Sequence, residues 1–339
     1  MSAQPPVFSV VSGAQVQQAL SGREQQVTDV VAAVYKLHGA SLTINPDSYF
    51  LRFPDRPADR IIALPASIGG EVNTSGIKWI SSYPGNIEAD LPRASAVLIL
   101  NDTSTGYPYA CLEASTISAV RTAASAALAA GRMSEHRAER PRRVGFIGTG
   151  LIARYVHTYL AATGFAFDEV GLHDLNPGYA RGLAGHLESV QDAPVKIYSA
   201  AEELIRSSDL VVFATTAGTP HVVEPSFFDH HPLVLHLSLR DLAPEVILSA
   251  WNLTDDVDHC LKAQTSLHLT EQRTGGRNFV VGTLPELLEG KLVCPAGQTA
   301  IFSPFGLGVL DLAVGRYVYD QAGERLVVPG FFQELRRHG

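Results

Sequence analysis

The chain has 339 residues, enough for two domains of roughly 100–200 residues each. At 46% hydrophobic and 18% charged it reads as a globular protein with a sizeable core. A net charge of -8 and a pI near 5.8 argue against nucleic acid or an anionic membrane as the main partner.

Cys111, Cys260 and Cys294 show neither a disulfide framework nor metal spacing, and read as reduced, buried small residues. No metal is expected. The opening Met1-Ser2-Ala3-Gln4-Pro5-Pro6 lacks the basic and apolar regions of a signal peptide. No apolar stretch is long enough for a membrane span, and the Ala123–Ala130 run is too short and too weakly apolar. Cytoplasm is the expected compartment.

The first stretch runs to about residue 120. Val7–Val11 reads as a strand, Ser12 as an N-cap, and 13–39 as helical, with apolar positions at Val16, Leu20, Val27, Val30, Val31, Val34 and Leu37. Strand patterns follow at Tyr49–Phe53, Arg60–Pro65 and Ser75–Ile80. Ala96–Leu100 and Tyr107–Leu112 flank the turn-rich Asn101–Gly106, which predicts a hairpin. This half reads as antiparallel or mixed.

The second stretch opens with an Ala-rich helix over about 114–131, ending at Gly131, and a charged connector, Arg137–Arg143. Strands are then predicted near 143–147, 169–173, 195–198, 210–214 and 233–238, and helices near 150–163, 177–190, 200–207 and 243–250. That alternation predicts a doubly wound parallel sheet of Rossmann type. Thr299–Phe302 reads as a last strand, Ser303–Gly306 as a tight loop, and Leu307–Gln321 as a helix returning to the first domain. The expected fold is α/β: a Rossmann domain over 121–306, and a discontinuous mixed α+β domain from 1–120 and 307–339.

Val144–Ile147 followed by Gly148-Thr149-Gly150-Leu151-Ile152-Ala153 is a strand, a Gly-x-Gly-x-x-Ala turn and a helix start. The first Gly makes the tight turn, and the second lets the backbone approach a pyrophosphate at the helix N-terminus. The third small residue lets helix and strand pack closely. Asp174 ends the next apolar run at the distance expected of a ribose-binding carboxylate. A nicotinamide cofactor follows, and NAD rather than NADP, because a carboxylate repels a 2′-phosphate. An ordinary glycine turn in an α/β core is the alternative. The histidines offer no metal motif; His230-His231, His157, His173, His186, His236 and His268 read as structural or surface residues.

A series of segments then carries a specific likeness: Ala58–Pro65, Ile68-Gly69-Gly70-Glu71, Ser75–Ile80, Leu98–Asp102, Gly106-Tyr107-Pro108, Glu113–Ala124, Gly148–Ile152, Ser238-Leu239-Arg240-Asp241 and Ser303-Pro304-Phe305-Gly306. In order, and over nearly the whole chain, they resemble the ornithine cyclodeaminase/μ-crystallin family. Within it they look most like the N-(2-amino-2-carboxyethyl)-L-glutamate dehydrogenases, which make L-2,3-diaminopropionate for siderophores and antibiotics. The resemblance implies NAD-dependent oxidation of that secondary amine to L-2,3-diaminopropionate and 2-oxoglutarate by a homodimer. Alternatives are a cyclodeaminase, a ketimine reductase and a non-catalytic ligand carrier like μ-crystallin.

The resemblance also implies roles. Lys78 and Arg52 grip the substrate carboxylate, though Arg56 or Arg60 compete with Arg52 for the match, and a surface lysine or arginine is the plain alternative at each. Arg121, in a charge-poor helix, needs a partner such as a cofactor phosphate or a substrate carboxylate, and matches a cofactor position, as Arg93 does by position alone. Thr149, Leu151, Ile152, Thr215, Thr216, Ser238 and Ser303 fall on the cofactor side. Asp241 matches the family's catalytic aspartate, receiving or orienting the substrate amine; a helix N-cap is its competitor. The segment after it is shorter than in cyclodeaminases and lacks their lysine. Arg240 is therefore expected to meet an additional substrate carboxylate. Glu113 either caps the Ala-rich helix or orders Lys78.

Overall fold

A computed structural model describes residues 7–332, so the Met1–Pro6 reading lies outside the described residues. The chain divides into two compact units, Met1–Arg121 with Leu307–Gly339, and Thr122–Gly306.

The first unit begins β1 (Phe8–Val11), α1 (Gly13–Leu20), α2 (Glu24–Gly39), β2 (Thr43–Ile44), β3 (Tyr49–Phe53), β4 (Arg56–Ile68), β5 (Thr74–Ser82), β6 (Ala94–Asn101) and β7 (Pro108–Glu113), then α3 (Ser115–Ser134). Ser12 and Gln15 close a reciprocal capping box at the start of α1. The helical texture of 13–39 resolves into two helices, parted at Ser21-Gly22-Arg23. Val16, Leu20, Val27, Val31 and Val34 are buried, as their spacing predicts. β6 and β7 form the expected antiparallel hairpin. α3 does not end at Gly131 but runs to Ser134, whose hydroxyl donates to the Ala130 carbonyl within the helix.

The second unit contains β8 (Arg143–Ile147), α4 (Leu151–Ala162), β9 (Glu169–His173), α5 (Pro177–Glu188), β10 (Val195–Ile197), α6 (Ala201–Ser207), β11 (Leu210–Phe213), β12 (Leu233–His236), α7 (Pro244–Leu248), β13 (Trp251–Thr254), α8 (Val257–Cys260), α9 (Ser266–Thr274), β14 (Val280–Thr283), α10 (Leu284–Leu288) and β15 (Ala300–Phe302). The strands run in the order β10-β9-β8-β11-β12-β15-β13-β14, and every pairing is parallel. The order reverses between β8 and β11, the switch point at which doubly wound sheets open a crevice. Val211, Phe213, Val234 and Ile301 on the strands pack with Leu204, Val246 and Leu267 from the helices.

After that unit the chain continues into α11 (Gly308–Gln321) and β16 (Leu326–Val328). They complete the first unit's sheet, ordered β16-β1-β7-β6-β5-β4-β2, with β3 also on β4. β1 and β7 are parallel and the other pairs antiparallel. α11 lies across β4, β5 and β6. Gly315 permits this approach, since a Cβ there would stand 2.0 Å from Leu98 Cδ2. Among the described residues no helix is long and apolar enough to cross a membrane.

Candidate active site

At the switch point β8 ends in the glycine turn. Gly148 has φ +85°, and a Cβ there would meet the Ala214 carbonyl oxygen at 2.6 Å, so neither its conformation nor its surroundings admit a side chain. Gly150 is different: a Cβ would meet nothing within 4 Å. It is the N-cap of α4 and offers no side-chain cap, so the first amides of the helix remain available to an anion. Ala153 is fully buried, the close helix–strand contact expected of the third small residue. Asp174 follows the end of β9 and accepts from Thr149 N at 2.9 Å, Thr149 Oγ1 at 2.8 Å and Asn176 N at 2.9 Å. Leu151 is exposed and Ile152 half-buried on the first turn of α4. Open space over a bare backbone, uncapped helix amides and an acidic residue on the neighbouring strand fit the pyrophosphate and ribose of a dinucleotide.

Next along the carboxyl edge of this sheet, Asp241 is fully buried. Thr215 Oγ1 donates to Oδ1 at 2.5 Å, and Ser238 Oγ donates to Oδ2 at 2.5 Å. His221 Nε2 lies 3.1 Å from Oδ1. His236 Nε2 lies 3.3 Å from Oδ2 and 3.2 Å from the Asp241 amide. Burial alone would raise the carboxyl's pKa, but the hydrogen bonds it accepts, from His221 and Ser238 among others, outweigh it and hold it well below the usual carboxylate range. Asp241 is not a helix cap: α7 starts after Ala243, and the carboxylate bonds are those just named. His236, read from sequence as structural or surface, belongs to this cluster, and its Nδ1 lies 3.1 Å from Ser303 Oγ. Ser303 is itself buried, so its hydroxyl serves His236. Thr215 also accepts from Ala217 N at 3.0 Å, while Thr216 is exposed.

Arg240 departs from expectation. Its Nε and Nη2 donate to the carbonyls of Gln264 at 2.7 Å and Ala263 at 2.5 Å. Leu239, Ala263 and Gln264 all have positive φ, at 59°, 53° and 58°. Arg240 therefore joins two strained loops, and those two nitrogens point at protein carbonyls rather than at a ligand.

In the first unit Lys78, on β5, is 2% exposed. Its Nζ donates to Asp311 Oδ2 at 2.7 Å and to Ser118 Oγ at 3.1 Å. Burial, with the nearby Arg121 charge adding to it, lowers the ammonium's pKa to about 8 against the opposing pull of Asp311. Arg121 Nε donates to Asp311 Oδ1 at 3.1 Å, so a protein carboxylate meets the need for a partner inferred from its charge-poor helix. Asp311 was not among the expected residues. An acid amid the apolar Leu310, Leu312, Ala313 and Val314 was the same kind of signal that marked Arg121. One carboxylate thus faces two cations in the interior of this unit.

The remaining expected residues lie apart from this cluster. Arg52 is exposed on β3, its guanidinium carbon 4.9 Å from the Phe50 ring centre. It pairs with Arg60, which shares Lys78's sheet face four residues along β4 from Leu64, the partner of Lys78. Arg93 donates to Ser82 Oγ at 2.7 Å, on that same face, and burial lowers its pKa. Glu113 accepts from Ser115 N at 2.6 Å and from the Ser115 hydroxyl, which settles it as the cap of α3. Among the described residues no group of His, Cys, Asp or Glu is arranged to hold a metal.

The model of the ornithine cyclodeaminase/mu-crystallin family matches residues 10–230. The chain is 28% identical over 324 residues to N-((2S)-2-amino-2-carboxyethyl)-L-glutamate dehydrogenase of Staphylococcus aureus, covering 91% of this chain and 94% of that one. It is similar in fold to Thermococcus litoralis Δ1-pyrroline-2-carboxylate reductase solved with NADH and L-proline, with TM-score 0.84 and 20% identity over 93% of this chain and 97% of that one. An archaeal alanine dehydrogenase dimer with bound NAD aligns with TM-score 0.83 and 22% identity over 96% and 99% of the two chains. By the span of that family match and the order of its motifs, the chain belongs to the ornithine cyclodeaminase/mu-crystallin family.

Proposed function

We propose that this protein is an NAD-dependent amino-acid dehydrogenase that oxidises the secondary amine N-(2-amino-2-carboxyethyl)-L-glutamate, giving L-2,3-diaminopropionate and 2-oxoglutarate in a siderophore or antibiotic precursor route. The observation that carries the reading is the pairing of an open glycine turn with an Asp241 carboxylate buried at the carboxyl edge of the same sheet. Similarity to the Staphylococcus aureus enzyme supports the substrate.

Bound NAD+ supplies the hydride acceptor. The Gly148–Ile152 turn and the first amides of α4 hold the pyrophosphate, and Asp174 holds the adenosine ribose. Lys78, as the family resemblance implies, grips a substrate carboxylate, with Arg52 and Arg93 as further cations of that unit. Asp241's low proton affinity supports an orienting role over a proton-accepting one. Water then hydrolyses the C=N bond formed on the substrate, releasing the primary amine and the keto acid.

Homodimerisation is part of the same reading. On the sheet face opposite Lys78, Tyr49, Leu51, Trp79 and Val97 are 70%, 47%, 44% and 40% exposed, an apolar surface suited to a second copy.

Absorbance at the NADH wavelength decides the reaction. Purified protein with NAD+ and N-(2-amino-2-carboxyethyl)-L-glutamate should accumulate NADH and 2-oxoglutarate in equal amounts. No NADH with this amine, but ammonia and a proline-like product from ornithine, would replace the reading with cyclodeamination, which recycles NAD+ internally.

A further inference from the structure

Asp241 poses a chemical problem. Its carboxylate is buried and takes hydrogen bonds from two hydroxyls, and its proton affinity is held low. It is poorly suited to accept a proton from a substrate amine. The group at the solvent side of the cluster is His221. It lies eight residues past the end of β11, with its backbone amide and that of Val222 donating to the Asp241 carbonyl at 3.0 and 2.9 Å. Its side chain is 42% exposed, while Asp241's is 0% exposed. Nε2, at 3.1 Å from Asp241 Oδ1, donates to the carboxylate, so the neutral ring carries its lone pair on Nδ1. A carboxylate that fixes an imidazole's tautomer and orientation and stabilises its protonated form is the standard way to prepare a histidine base.

We infer that His221 is the proton-accepting catalytic residue, with Asp241 positioning it. The inference rests on the dehydrogenase reading above. His221 Nδ1 takes a proton from the substrate's secondary ammonium and frees the nitrogen lone pair. That pair forms the C=N bond as the Cα–H bond breaks and its electrons leave as hydride to NAD+. Asp241 and His236, from the end of β12, are the ionisable groups of this cluster; Arg240, beside Asp241, is turned onto the Gln264 and Ala263 carbonyls. Glu224 is the next ionisable residue along His221's own segment.

His221→Ala tests it. With NAD+ and N-(2-amino-2-carboxyethyl)-L-glutamate, kcat should fall about 100-fold or more. The acidic limb of the pH–rate profile should vanish, imidazole should restore part of the rate, and NAD+ affinity should stay within about two-fold. A rate near wild type, or a lower rate with the acidic limb intact and no imidazole rescue, overturns the assignment. If the wild-type protein does not turn over this amine, the substrate reading fails, and 15N NMR of wild-type His221 still decides the histidine. In its neutral form the ring should be the Nε2–H tautomer; the Nδ1–H tautomer overturns the proposal.

Discussion

Lys78 and Asp311, 233 positions apart in the chain, meet at 2.7 Å in the interior of the first unit, with Arg121 on the other carboxylate oxygen. A buried lysine and a part-buried arginine on one buried acid is an arrangement maintained by the surrounding fold, because neither a lone buried ammonium nor a lone buried carboxylate is tolerated.

The lowered Lys78 pKa gives a pH signature. The unfolded chain binds this proton up to pH 10.5 and the folded chain only to about 8. Between those values the unfolded state binds more protons, so stability rises with pH across that window and is lower by a constant amount below it. The full shift corresponds to roughly 3 kcal/mol. Denaturation of wild type and Lys78→Met across pH 7–11 should show the rise only in wild type. Parallel curves would refute the buried, perturbed lysine. The variant should also raise KM for any carboxylate substrate.

The two glycines of the turn should separate stability from binding. Gly148→Ala places a Cβ against the Ala214 carbonyl at φ +85° and should lower Tm by roughly 5–10 °C. Gly150→Ala meets no protein atom and should leave Tm within about 2 °C. It should nevertheless weaken NAD+ binding at least about ten-fold, because the methyl occupies space that a pyrophosphate would fill. Calorimetry and fluorescence titration measure the two effects. Unchanged NAD+ affinity in Gly150→Ala would remove the turn from the cofactor site.

Arg240 now carries a structural expectation in place of a substrate one. Its two charge-assisted bonds to carbonyls tie its own loop to the one carrying Ala263 and Gln264. Arg240→Ala should therefore lower Tm and kcat together. Any change in KM should be alike for tricarboxylate and monocarboxylate substrates. A KM increase confined to the tricarboxylate would return Arg240 to the substrate.

Much of the fold is local enough to read from residues. The glycine turn needs only its own backbone geometry, and strands β8, β9, β11 and β12 are runs of apolar residues that a parallel sheet buries on both faces. Strands β13 and β14 were not legible for the converse reason. Trp251-Asn252-Leu253-Thr254 carries two polar residues in a fully buried strand. It is stable there because Asn252 Nδ2 reaches the carbonyls of Ile247, Ala250 and Phe279, contacts that depend on tertiary placement. β14 is four residues with a glycine among them, too short to show a period.

Residue types and local spacing thus determined the dinucleotide turn, the alternation of the second unit and the candidate cations and acids, because these follow from backbone preference and burial of neighbours along the chain. Which polar side chains meet one another was decided only in three dimensions. Asp311 meets Arg121, His221 and His236 meet Asp241, and Arg240 turns to two carbonyls. A buried polar group takes whatever partner the packing brings within hydrogen-bonding distance, and packing between distant segments leaves no period in the sequence.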